Sequence, residues 1–302
     1  MIYRILAGIT ALLLSSAASA QTCTIPNTLT NGTNADATQV MANFNALIAC
    51  INSSSGTVPI GYLSGLTMAN NVSSPTTVLN VSTGMAASDD GLALMKVASA
   101  VTKTVNTAWA VGTGNGCLDA GSIAASTWYH LYVIVRPDTG VVDQLCSTSP
   151  TSPTLPTNYT KKRRIGSYKT NGSSQVIAFV QNYDTFLWAV GVRDVANQSQ
   201  GTSGTLWTLA SIPTGVQVQA LVNVCFYVTG AASGAFVSSP LVSDQAVLYG
   251  IVQNVRDNSA GSGACVGLPP ILTDTSARIR ARGGASGFLD VSTQGWVDSR
   301  GK

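Results

Sequence analysis

Glutamate is absent from this 302-residue chain, histidine occurs once, and only 10% of the residues carry a formal charge. Solvent-facing helices are built largely from Glu and Lys, so a chain with no Glu and six Lys is not mainly helical. One imidazole leaves little for His-based catalysis or a multi-histidine metal centre. A formal charge of +3 is too weak a field for general nucleic-acid binding. What is abundant is Ser, Thr, Val, Ala and 29 Gly, the material of short strands and turns. The composition therefore predicts a mostly β, exported, non-enzymatic protein without a cofactor.

Long apolar runs are also missing, apart from one near the start. Residues 1–20 read as an export signal: Arg4 gives a positive beginning, residues 5–14 are apolar, and Ala18-Ser19-Ala20 supplies small residues for cleavage. Ten apolar residues cannot cross ~30 Å of hydrocarbon as a helix, so no membrane span is expected. Cys23, Cys50, Cys117, Cys146, Cys225 and Cys265 all follow the signal. An even number in an exported chain reads as three disulfides. Sequential pairing, Cys23 with Cys50, Cys117 with Cys146 and Cys225 with Cys265, ties each segment to itself; pairing between subunits is the alternative. No CxxC spacing suggests zinc.

Residues 34–52 form the one helical pattern. Asp36 is placed to cap the first turn, with Gln39 three residues on. Val40, Phe44, Leu47 and Ile51 then step by 4, 3 and 4, a heptad seam broadened by Ile48. A helix this short is marginal alone and needs a partner, either its own β domain or the same helix of sister chains. We accordingly divide the chain into a signal at 1–20, an N-terminal arm and assembly helix at 21–52, and a polar, Gly/Asn/Ser-rich linker or neck at 53–74.

Beyond residue 75 short β-branched runs alternate with turn chemistry, with no βαβ rhythm. The clearest hairpin runs 128–135, turns through Arg136-Pro137-Asp138-Thr139-Gly140 and returns at 141–146. The longest alternation, Val216, Val218, Ala220, Val222, Val224, Phe226 and Val228, puts one face inward. A polar stretch at 195–204 reads as a boundary. The expectation is an all-β chain of two β-sandwich or jelly-roll-like units, 75–195 and 205–302, preceded by a short N-terminal helix; the pattern does not distinguish separate domains from one interlocked sandwich.

No catalytic constellation emerges. His130 lies within a strand pattern, Asp89 with Asp90 and Asp138 with Asp143 read as turn residues, and no Gly-x-Ser-x-Gly elbow occurs. The Gly-rich stretch 112–116 precedes a Cys rather than Lys-Ser/Thr, so it reads as a loop and not a phosphate cradle. Two basic features stand out: the run Lys161-Lys162-Arg163-Arg164, and Arg278, Arg280 and Arg282 on one strand face. A basic face attracts anionic surface polysaccharide, or merely protects a strand edge. Tyr159, Tyr168, Tyr183 and Trp188 lie near the first run; such rings suit sugars, or else belong to the core. Arg163, Arg164, Tyr168 and Tyr183 are therefore the candidate receptor-binding residues.

Residues 29–47 (LTNGTNADATQVMANFNAL) closely resemble an N-terminal segment of bacteriophage and prophage tail or tail-fibre proteins. Residues 61–67 (GYLSGLT), 136–143 (RPDTGVVD), 152–159 (SPTLPTNY), 163–167 (RRIGS) and 295–301 (GWVDSRG) look like stretches of the same fibre-like proteins. The resemblance implies a virion structural protein that attaches to a host-surface glycan and to other virion proteins. With the heptad seam (Val40, Phe44, Leu47, Ile48, Ile51), it also implies a homo-oligomer, most simply a trimer. The export signal and six cysteines depart from that family and keep a secreted bacterial carbohydrate-binding β-sandwich protein as the alternative.

Overall fold

The computed structural model describes residues 24–32, 34, 36–53, 58–228, 233–248, 252–256 and 261–302, without the side chains of 49–53. The chain forms two compact units, residues 1–56 and residues 57–302.

In the first unit, helix Ala37–Ser53 starts where the capping argument puts it. Asp36 Oδ1 accepts the Thr38 N–H at 2.8 Å, and the Val40 N–H closes the first turn on Asp36 O. Asn43, 8% exposed, accepts the Asn27 N–H through Oδ1 at 2.9 Å and donates Nδ2 to Asn27 O at 2.8 Å. One side-chain amide thus pins the arm to the helix. Cys23 and the side chains of Cys50 and Ile51 lie outside the described residues.

The second unit is all-β, of β-sandwich type, with four sheets. A seven-stranded sheet runs in the order Lys161–Lys169, Trp128–Val135, Val142–Ser147, Gly116–Leu118, Val101–Ala108, Val78–Val81, Met68–Asn70. A six-stranded sheet places Gly287–Val297 between Thr185–Gln200 and Gln219–Val228, with Phe179–Asn182, Gly263–Gly267 and Ile271–Leu272 outside them. Smaller sheets hold Thr205–Thr208, Arg278–Gly283, Gly234–Ser238 and Val255–Arg256, and Leu63–Gly65, Gly84–Ala87 and Leu94–Val97.

The long alternation behaves as period two demands: Val218, Ala220, Val222, Val224, Phe226 and Val228 are buried. The 128–146 hairpin also forms. The Gly140 N–H bonds Arg136 O at 2.8 Å, and Gly140 takes φ +71°, a conformation that glycine reaches without steric cost. Trp128–Val135 is buried on both faces: Leu131 and Val133 enter the main core, while Tyr132 and Ile134 pack with Leu145 and Tyr159.

Two expectations need correction. Residues 63–70, expected within a neck, carry strands Leu63–Gly65 and Met68–Asn70, and Leu63, Leu66 and Met68 are core residues. Residues 195–200, expected at a boundary, continue strand Thr185–Gln200, which pairs with Gly287–Val297 as far as Gln200↔Gly287. Ladder bonds use the backbone, so polar side chains such as Asn197 and Gln198 do not prevent them. The sequence leaves open whether the two β blocks are separate; in the structure they share one apolar core, in which Trp128 of the seven-stranded sheet meets Trp296 of the six-stranded sheet edge-on at 5.4 Å and Phe186 stacks on Trp296 at 5.0 Å.

Cys117–Cys146 and Cys225–Cys265 are disulfides, each joining neighbouring strands. Loops of 29 and 40 residues contribute roughly 3 to 4 kcal/mol each by chain entropy.

Candidate functional site

The basic run lies on Lys161–Lys169, the edge strand of the seven-stranded sheet. Strand alternation would put Arg164 and Ser167 on opposite faces, but the register shifts between Arg164 and Gly166. Arg164 then opposes Tyr132 while Ser167 opposes His130, so both share a face. A Cβ at Gly166 would stand 2.5 Å from Met68 Sδ and 3.0 Å from the Phe186 ring, so a larger residue at this bulge would push those side chains aside.

Around that edge lies a cleft of about 280 Å³ lined by Lys162, Arg163, Arg164 and Arg300, with Asp89 as its one carboxylate. Tyr132, Pro150, Thr151, Val216 and Gly301 complete the wall. Lys162 Nζ donates to Asp89 Oδ2 at 2.5 Å and sits over the Tyr132 ring. Arg163, 4% exposed, donates Nη2 to Gly301 O at 2.5 Å and approaches Asp89 Oδ1 only to 3.9 Å. Arg164 holds Asp298 through two bonds, 2.6 and 2.8 Å, and donates to Ser167 Oγ at 3.2 Å. Arg300 grips Asp184 from behind the cleft through Nε and Nη2 and points Nη1 at the carbonyls of Gly65 and Leu66. Lys302 shares Asp184.

The electrostatics follow burial. Desolvation lowers the Arg163 pKa; Asp89 opposes this, while Arg164 and Arg300 repel the charge further. Burial also works against charged Arg164, but the bonds to Asp298 outweigh it and its pKa rises. His130 is 1% exposed, with Nδ1 2.9 Å from Ser167 Oγ. Its pKa is pushed down to about 3, by desolvation first and then by Arg164, against the pull of Asp298. Ser167 is fully buried, so the Ser–His contact serves packing in this conformation.

The other residues singled out in the sequence divide sharply. Tyr168, a candidate receptor contact, is fully buried and stacked on Tyr129 at 5.5 Å, so it cannot meet a ligand from solvent. Tyr159 and Trp188 are also buried, whereas Tyr183 is 77% exposed. Asp89 and Asp90 answer Lys162 and Lys161, and Asp138 answers Arg136. Asp143 is buried against Lys103 at 2.8 Å, and Lys103 also donates to the carbonyls of Ala110 and Gly112, fixing the Gly-rich loop. Among the described residues no cluster of three His, Cys, Asp or Glu side chains is arranged to hold a metal. Sequence reasoning missed Asp298, Arg300 and Gly301 as partners of the basic run. The dense Asp/Arg content of 298–300 was the available signal. It also missed a groove of about 550 Å³ walled by Trp109, Arg136 and Tyr159, with Trp109 and Tyr159 edge-to-face at 5.1 Å.

On the helix, Phe44, Leu47 and Ile48 are exposed, as is Met41, while Val40 is half-buried. No helix among the described residues is long and apolar enough to cross a membrane. Comparison with protein-family models, with curated proteins and with solved structures finds no match to the chain. The class that fold and site define is thus a disulfide-stapled, all-β scaffold with an open basic cleft.

Proposed function

We propose that this is an exported, non-enzymatic attachment protein of phage tail-fibre or spike type, which self-associates through helix Ala37–Ser53 and presents its β body to a host-surface glycan. The observation that carries the reading is the apolar side of that helix. Val40, Met41, Phe44, Leu47 and Ile48 cover about a third of its circumference at 100° per residue, and four of the five are exposed. Burying them against sister helices removes apolar surface from water. The two disulfides support an oxidising compartment, and hence residues 1–20 as an export signal. The ion pairs that occupy Asp89, Asp90, Asp138 and Asp143 support a binding rather than a hydrolytic role. Light scattering on residues 21–302 tests assembly: a trimer mass that falls to the monomer in Phe44→Asp/Leu47→Asp, with unchanged β circular dichroism, is the expected result. A wild-type monomer overturns it and favours a monomeric carbohydrate-binding module, for which the Trp109–Tyr159 groove is the natural sugar platform.

A further inference from the structure

The cleft at the sheet edge contains a donor without an acceptor. Arg163 Nε is buried and makes no hydrogen bond among the described residues, although the rest of the guanidinium is engaged by Gly301 O and, at longer range, Asp89. A buried cationic donor left unpaired is a standing cost, which a structure relieves when an acceptor arrives from outside. The surrounding charge says which kind. Among the described residues Lys162, Arg163, Arg164, Arg300 and Lys302 pair with Asp89, Asp184 and Asp298, five cations against three carboxylates, leaving a formal excess of two positive charges. Burial is the main reason the Arg163 pKa is lowered, and Arg164 and Arg300 repel its charge further. The ligand's polar end must therefore be an anion.

Size and lining narrow it further. About 280 Å³ is more than a bare ion fills and is at the small end of ligand pockets. Pro150, Val216 and Tyr132 add apolar atoms to the wall beside the cations, as a sugar ring with one charged substituent requires.

We propose that this cleft binds an oxyanion group carried on a single sugar residue, either the carboxylate of a uronic acid or a phosphate ester, with Arg163 Nε as the positioned donor and the partly exposed Lys162 as a second cation. That the ligand is a sugar rests on the surface-attachment reading; that it is an anion does not. Titration calorimetry of the full mature chain with glucuronate, glucose 6-phosphate and glucose separates the possibilities. Glucuronate or the sugar phosphate binds at least about tenfold more tightly than glucose, the tighter of the two identifies the source of the anion, and affinity falls with added salt. Arg163→Gln removes this preference. Should that variant fail to fold, Lys162→Gln, whose side chain is partly exposed, weakens binding about fivefold or more while the β circular dichroism is kept. Equal binding of all three probes, or no measurable binding, overturns the proposal, as does Lys162→Gln binding like wild type. A monomeric mass in the assembly experiment leaves this titration intact, and a failed titration leaves assembly intact, so the two readings fail separately.

Discussion

Two strands of this protein are rich in cations, and they have different fates. On Arg278–Gly283 the three arginines share one face and each has its own answer: Asp274 for Arg278, Asp244 for Arg282, and the carbonyls of Ser239, Pro240 and Val242 for Arg280. On Lys161–Lys169, by contrast, one guanidinium nitrogen, Arg163 Nε, has no acceptor among the described residues. Density of charge in the sequence does not separate these cases. The supply of acceptors folded opposite does, and burial sets the stakes, because Asp298 beneath Arg164 is 1% exposed while Asp244 beside Arg282 remains a third exposed.

The sharpest test of that contrast is removal of one partner on each strand. Arg164→Met leaves the buried Asp298 carboxylate without its cation, and chemical denaturation should register a loss of ~3–5 kcal/mol. A loss under 1 kcal/mol would mean that the two faces are alike. The next effect is in pH. His130 has a folded pKa near 3 against 6.5 when unfolded, so the folded state excludes a proton that the unfolded state takes up. Stability is then complete above pH 6.5 and declines by up to ~1.4 kcal/mol per unit as pH falls from 6.5 toward 3. Thermal melts across that range should show a slope in wild type that His130→Gln removes; equal slopes would place the acid sensitivity elsewhere. The smallest effect belongs to the other strand: Arg282→Ala, breaking a partly exposed pair, should change stability by no more than ~1 kcal/mol, within what the same denaturation experiment resolves.

Much of the fold was legible where a local rule was enough. Asp36 capped its helix, Gly140 closed its hairpin, and the alternating residues from Val218 to Val228 went inward, because each depends only on near neighbours in sequence. The break expected at 195–204 failed for a physical reason: Gln, Asn and Ser resemble a linker in composition, while pairing with Gly287–Val297 is made by backbone groups that every residue carries. Tyr168 was misjudged because nearness to Arg163 and Arg164 in sequence says nothing of facing, and the bulge between them resets the parity of the strand. The basic run itself was visible. Its completing residues, Asp298, Arg300 and Gly301, arrive from more than 130 positions away, a separation no local pattern encodes.

Residues 298–302 act as a clasp on structure laid down much earlier in the chain: Asp298 takes Arg164, Gly301 takes Arg163, and Arg300 and Lys302 take Asp184. The cleft is therefore built from segments more than 130 positions apart, and loss of residues 298–302 would free Arg163 and Arg164 from the groups that hold them.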